Sequence, residues 1–216
     1  MAKKKKGGKR KKSTAKRAVS KKAKAKKSVK KAVKKSSSAK KVSGKFNLIV
    51  SFDPNHAGTA ENELTEALKK IGEKPKLAAT GVEGLFKVAV SDARKVVGRL
   101  RDLCHADPNL FVATHHYTPI DVWCKSELSQ MQKNIKKLES GIGESEKWKM
   151  NLNKRHWNKM DGIKLIIKLT DSIDRENVDL SNPKKIVQVE IIGKEAGISL
   201  LELEDLFDVA EIKDEA

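Results

Sequence analysis

The chain has 216 residues, 38% of them hydrophobic, and a formal net charge of +19. Residues 1–45 hold 22 Lys and Arg and no acidic residue, which leaves 25 basic against 28 acidic residues, a net −3, on 46–216. The basic character therefore belongs to a tail; two cysteines are too few for a disulfide framework, and no apolar run reaches the ~18 residues of a membrane span. With no apolar signal core at the N-terminus, a cytoplasmic protein is expected, built as one large domain or two small ones packed together.

Residues 1–45 are Lys mixed with Ala, Ser, Gly and a few Val. Such a segment buries almost nothing and repels itself, so a disordered polybasic tail is expected. Its natural partner is a polyanion, because each phosphate it neutralises releases condensed counterions. Lysines on flexible stems meet phosphates and do not read base edges. A solubilising tail with no chosen target has the same composition.

The body begins near Phe46. An apolar run over 47–52 reads as a strand, and Asp53-Pro54-Asn55-His56 as a turn. From Thr59, Leu64, Ala67, Leu68 and Ile71 recur at helical spacing, with Gly72 placed for the C-terminal cap. Strands are expected over 77–80 and 85–90, joined through Gly81 and Gly84. Asp92 opens a second helix with Ala93, Val96, Val97, Leu100 and Cys104 on one face, and 110–115 follows as a strand. The order strand, helix, strand, strand, helix, strand is that of a ferredoxin-like module over 46–116.

A further strand is expected over 119–123. Leu128, Met131, Ile135, Leu138 and Ile142 then form the seam of an amphipathic helix capped by Ser126. Residues 147–153 read as a basic strand with Trp148, Met150 and Leu152 inward and Lys149, Asn151 and Asn153 outward. A helix over 162–173 is expected to bury Ile163, Ile166, Ile167 and Ile173. Residues 185–192 alternate Val187, Val189 and Ile191 with Gln188 and Glu190, the pattern of a half-buried strand. A loop from Gly193 to Gly197 then turns the chain into a second strand over 198–203, with Pro183 placed harmlessly ahead of the hairpin. Leu203, Leu206, Phe207, Val209 and Ile212 suggest a last short element packed on the body.

Several stretches invite chemistry. Gly81-Val82-Glu83-Gly84 has the form of a phosphate clamp, but between two strands a hairpin turn explains it more simply. Cys104-His105, His115-His116 and Cys124 lack the C-x₂₋₄-C and H-x₃₋₅-H spacings of small zinc sites. No phosphate-binding loop, dinucleotide fingerprint or nucleophile elbow is present, so no catalytic residue, metal or cofactor is expected. The strongest cluster is Lys147, Lys149, Lys154, Arg155, His156 and Lys159, with Trp157 interleaved where it could stack on a base. A solvated strand end with Trp157 in the core gives the same pattern. The helix start near Gly162 adds N–H groups that could hold a phosphate.

Two stretches carry a family resemblance. Val178-Asp179-Leu180, Pro183, the strand ending Glu190-Ile191-Ile192-Gly193 and then Ala196-Gly197-Ile198-Ser199 resemble the C-terminal hairpin of a THUMP domain. Upstream, residues 148–156 resemble that family's basic strand and 162–173 its amphipathic helix, except that Asn151 and Asn153 stand where the family tends to carry arginines. The resemblance implies an α+β protein: a ferredoxin-like N-terminal module packed with a C-terminal THUMP domain over 117–216, preceded by the Lys-rich tail. It implies binding to the acceptor end of tRNA through Lys147, Lys149, Lys154, Arg155, His156, Trp157 and Lys159. It further implies no enzyme activity of the chain's own, the nearest likeness being the stand-alone THUMP adaptor that serves a separate tRNA cytidine acetyltransferase. The alternative is a structural nucleic-acid-binding protein, ribosome-associated or chromatin-like, that acts mainly through its tail.

Overall fold

The computed structural model describes residues 46–215, all within the compact unit Gly44–Ala216; the expectation of a disordered tail lies outside the described residues. Strand β1 (Leu48–Phe52) leads to helix α1 (Ala57–Lys70), strands β2 (Lys76–Ala79) and β3 (Leu85–Ala89), helix α2 (Ala93–Ala106) and strand β4 (Thr114–Pro119). The elements follow the order read from the sequence. They form an antiparallel sheet in the order β2-β3-β1-β4, extended at its outer edge by β9 (Phe207–Asp208). Gly81 and Gly84 take φ of 74° at the β2–β3 turn, a conformation that costs glycine nothing. The phosphate-clamp spacing is thus a hairpin turn.

One strand lies four residues downstream of its expected place. Asp107-Pro108 starts a short 3-10 turn over Pro108–Leu110, and the buried Glu63 of α1 accepts the backbone N–H groups of Val112, Ala113 and Thr114 at 2.8, 2.7 and 3.0 Å. With the N–H groups of Val112 and Ala113 held by a carboxylate and not by a neighbouring strand, those two residues stay outside the ladder, and pairing begins at Thr114, opposite Phe52. The next expected strand, 119–123, also moves, because Ile120 and Asp121 carry the chain from one sheet to the next.

The second sheet follows: β5 (Val122–Lys125), α3 (Leu128–Leu138), β6 (Trp148–Arg155), α4 (Gly162–Thr170), β7 (Lys185–Ile192) and β8 (Glu195–Leu201). Its order is β5-β8-β7-β6, with β6 parallel to β7 and the other pairs antiparallel. The β7–β8 hairpin is tighter than its glycines suggest. Ile192 pairs with Glu195, so the loop is Gly193-Lys194 alone, with Gly193 at φ 57°. Gly197 lies within β8, where a Cβ would sit 2.9 Å from Ile120 Cδ1. Ser126 does not cap α3: Glu127 holds that position, and Ser126 Oγ donates to the Gly193 carbonyl at 2.7 Å.

Helix α4 buries only part of the set expected: Ile173, just past its end, is in the core and Ile166 packs against it, but the rest of the set is not buried. Leu165 and Leu169 are fully buried, whereas Ile163 is 71% and Ile167 54% exposed. Five of its nine residues are branched aliphatics spread around the axis, so periodicity alone could not choose the buried side.

The layers follow from the two-residue period of the strands. Leu48, Val50 and Phe52 point to α1 and α2, with Leu64, Leu68, Val97 and Leu100. Val187, Val189 and Ile191 point to α3 and α4, with Trp148 and Met150. The reverse faces of the sheets turn toward each other, where Ile49, Leu85, Ile120 and Ile192 form a small apolar joint. After β8 the chain crosses back: Phe207, Val209 and Ile212, the last two on α5 (Val209–Asp214), enter the core of the first sheet. Arg94 on α2 fastens the crossing, donating to both carboxylate oxygens of Asp121 (2.8 and 3.0 Å), to Asp205 (3.3 Å) and to the Leu200 carbonyl (2.9 Å). Among the described residues no helix is long and apolar enough to cross a membrane.

Candidate nucleic-acid interface

The basic cluster is contiguous in sequence, and the pleat of β6 divides it. Residues 148, 150, 152 and 154 point to the helical layer; 149, 151, 153 and 155 point the other way, toward the first sheet. Lys149, Asn151, Asn153 and Arg155 therefore stand in one row. Asn151 and Asn153, read as outward-facing, line a cleft of about 490 Å³ between the sheets, Asn153 exposed there and Asn151 half-buried. Arg155 enters the same cleft, its Nη1 3.8 Å from Glu190 Oε2.

The other cations take other places. Lys147 is joined to Asp179 at 2.7 Å. That ion pair and the N–H groups of Asn182 and Ser181 pull the Asp179 carboxyl down to about 2. Lys154 is exposed, and its Nζ donates to the Met160 carbonyl at 2.8 Å. Lys159 is exposed in the turn between β6 and α4. His156 is exposed at φ 53°, the only non-glycine residue with positive φ among those described. This left-handed residue ends the β6 pairing and turns the chain out toward Lys159.

Two expectations fail here. Trp157 is only 9% exposed, and its Nε1 donates to the Ser126 carbonyl at 3.1 Å. Its ring belongs to the core between α3 and α4 and cannot stack on a base. The α4 N-terminus is filled as well. Asp161 accepts from the N–H groups of Ile163 and Lys164 at 3.0 and 3.2 Å, and those bonds hold its carboxyl below the usual range. A carboxylate already sits where a phosphate was expected.

The residues that sequence reasoning missed lie on β7. Gln188 and Glu190 are each 3% exposed, so the strand is buried on both faces rather than one. In the parallel register Asn151 faces Gln188 and Asn153 faces Glu190. Asn153 Nδ2 and Gln188 Nε2 both donate to Glu190 Oε1 at 2.7 Å. Burial pushes the Glu190 carboxyl up, against the pull of Asn153, Gln188, Arg155 and His116. His116, across the cleft on β4, pairs with Asp208 at 3.2 Å. The available signal was two polar residues alternating inside an aliphatic strand; it became interpretable only once a second sheet covered that face. Among the described residues no group of three or more His, Cys, Asp or Glu is placed to hold a metal ion.

A family model, THUMP domain, matches residues 125–201, which run from the end of β5 to the end of β8. Residues 125–201 are a THUMP domain. That domain implies RNA binding in the service of tRNA modification, and it contains β6, β7 and every basic residue of the cluster. Curated protein sequences give no match. Among solved structures, PH1313 from Pyrococcus horikoshii Ot3 is similar at 15% identity and a TM-score of 0.55, covering 74% of this chain and 54% of that one. TrmN from Thermus thermophilus gives 14% identity, a TM-score of 0.48 and coverages of 71% and 44%. A 4-thiouridine synthetase solved in complex with RNA and ATP gives 14%, 0.46, and coverages of 74% and 41%. At such identities the likeness to PH1313 is one of fold. The chain spans about half the length of these structures or less.

Proposed function

We propose that this protein binds tRNA at its acceptor end through the THUMP domain and presents it to a separate modifying enzyme, a cytidine acetyltransferase. The observation that carries the reading is the row Lys149, Asn151, Asn153 and Arg155 on the edge strand of that domain. Lys154 near the end of that strand and Lys159 on the turn after it stand close by, in a body whose net charge is −3. Amide and cationic side chains on one face suit a polynucleotide: the cations meet phosphate and the amides meet base or ribose edges. The first sheet, with its β2-β3-β1-β4 order, is read as the ferredoxin-like module that backs the THUMP domain. The 22 basic residues of 1–45 add sequence-independent attraction to phosphate. The work is assigned to the cytoplasm, and the chemistry to the partner, on the resemblance of the hairpin and basic strand to the stand-alone adaptor.

A second reading rests on the same tail: a structural nucleic-acid-binding protein that holds polyanions mainly through residues 1–45. Removing those residues separates the two. The trimmed body is expected to keep a preference for tRNA over duplex DNA in a binding titration, and Lys149→Glu/Lys159→Glu in that body should weaken tRNA binding about tenfold at ~0.1 M salt. Equal affinity for both polyanions would remove the tRNA reading. A modification assay on tRNA from a deletion strain tests the adaptor role, with loss of acetylcytidine as the expected outcome.

A further inference from the structure

Helix α4 buries Leu165 and Leu169 and turns Ile163 and Ile167 outward, 71% and 54% exposed. The two lie one helical turn apart, so their side chains stand next to each other, about 5–6 Å apart at Cβ. Single apolar residues on a surface are ordinary. An adjacent pair of exposed isoleucines does little for the fold that carries it, because Glu, Gln or Lys would favour the helix more at both positions.

The surroundings of the pair are cationic. Lys164 and Lys168 run beside the isoleucines at the same spacing, and both are exposed. Helix α3 is joined to α4 by Gln132, whose Nε2 donates to the Lys168 carbonyl at 2.7 Å, and it adds the exposed Lys133 and Lys137. None of these four lysines forms an ion pair among the described residues; on α3 only Lys136 does, with Glu139 at 2.6 Å. The acidic residues of α4 stand at its two ends, Asp161 as N-cap and Asp171 as C-cap.

The pleat of β6 fixes where this face lies. Asn151, Asn153 and Arg155 point into the cleft, whereas α4 packs on the other side of the second sheet. The row read as the RNA contact and the isoleucine pair are therefore on opposite sides of that sheet. A polynucleotide covers such a pair poorly, since an aliphatic side chain neither stacks on a base nor pairs with a phosphate. A protein helix with apolar residues one turn apart and carboxylates beside them complements both features.

We propose that the outer face of α4 is the docking surface for the modifying enzyme. An acidic amphipathic helix of that enzyme would set its apolar residues on Ile163 and Ile167 and its carboxylates on Lys164 and Lys168. Resting on the adaptor reading above, this gives the chain two working sides, with tRNA on one and the enzyme on the other, held at the same time.

Binding of the full chain to the cytidine acetyltransferase, measured by biolayer interferometry beside a tRNA titration, tests it. Ile163→Gln/Ile167→Gln changes no charge and improves helix propensity. It is expected to weaken enzyme binding about tenfold or more, because the apolar centre of an interface carries most of its energy, and to leave tRNA affinity unchanged. Lys164→Glu/Lys168→Glu is expected to weaken enzyme binding about fivefold at ~0.1 M salt, a deficit that shrinks at ~0.5 M; it also serves if the first variant fails to fold by circular dichroism. Enzyme binding untouched by either variant, or tRNA affinity lost in step with enzyme binding in Ile163→Gln/Ile167→Gln, would overturn the docking face and leave the adaptor reading standing. An enzyme that does not bind the wild-type chain, with or without tRNA, would overturn both.

Discussion

The two sheets use the same strand pleat to opposite ends. In the first, the helix-facing side is a continuous apolar core, with Leu48, Val50, Leu64 and Leu100 each fully buried. In the second, the helix-facing side is equally apolar, but the side turned to its neighbour carries Asn151, Asn153, Gln188 and Glu190. Burial alone does not separate them, since Glu190 is as hidden as Ile49, each at 3%. What separates them is hydrogen bonding: one layer is held by contacts that need no orientation, the other by a few directed bonds that leave Gln188 Oε1 without a donor among the described residues. The buried polar pair Gln188 and Glu190 is held by orientation where its apolar counterparts are held by volume.

The largest test of this contrast is Leu100→Ala, expected to cost about 3 kcal/mol in urea unfolding because it opens a void in a closed core. Asn153→Ala, in the cleft, should cost about 1 kcal/mol, since Gln188 still donates to Glu190. Equal costs would break the comparison. Arg94→Met comes next, at about 2 kcal/mol, because it unfastens the crossing near Asp121 and Asp205; both charges remain partly solvated, which limits the loss.

The smallest effects are in pH dependence, and they differ in sign. Glu190 has a folded-state affinity for its proton raised above the ordinary 4.5. Its ionisation therefore weakens the fold, and stability is lost as pH climbs from about 4.5 through the raised value. Glu190→Gln should gain on the wild type as pH rises above 4.5 in urea titrations. Asp179, pulled from 3.8 down to about 2, adds stability that is present above 3.8 and lost as pH falls toward 2; Asp179→Asn should flatten that acid limb.

Much of this was legible in the chain. The order of the first six elements follows from apolar spacing and the glycine turns at Gly72, Gly81 and Gly84. The β7–β8 hairpin and the division of β6 into inner and outer residues were legible for the same reason: period two is local. What escaped depended on distant partners. The start of β4 is set by Glu63, some fifty residues upstream in the chain. The buried face of α4 depends on which aliphatics meet α3 and β6, and Trp157 is claimed by Ser126. The candidate site was half visible: the cations could be read, but the polar floor at Gln188 and Glu190 looked like a solvent face until the first sheet was laid over it.

The return of the chain to β4 through β9 makes the second sheet a parenthesis inside the first. During synthesis, the outer edge of β4 stays bare until Phe207 and Asp208 have been made, after the whole of the second sheet. The first sheet, begun before the second, is therefore completed after it. A ribosome stalled anywhere in the THUMP segment would leave an open strand edge beside an unfilled aromatic slot, where Tyr117 awaits the ring of Phe207 that stacks on it at 4.9 Å.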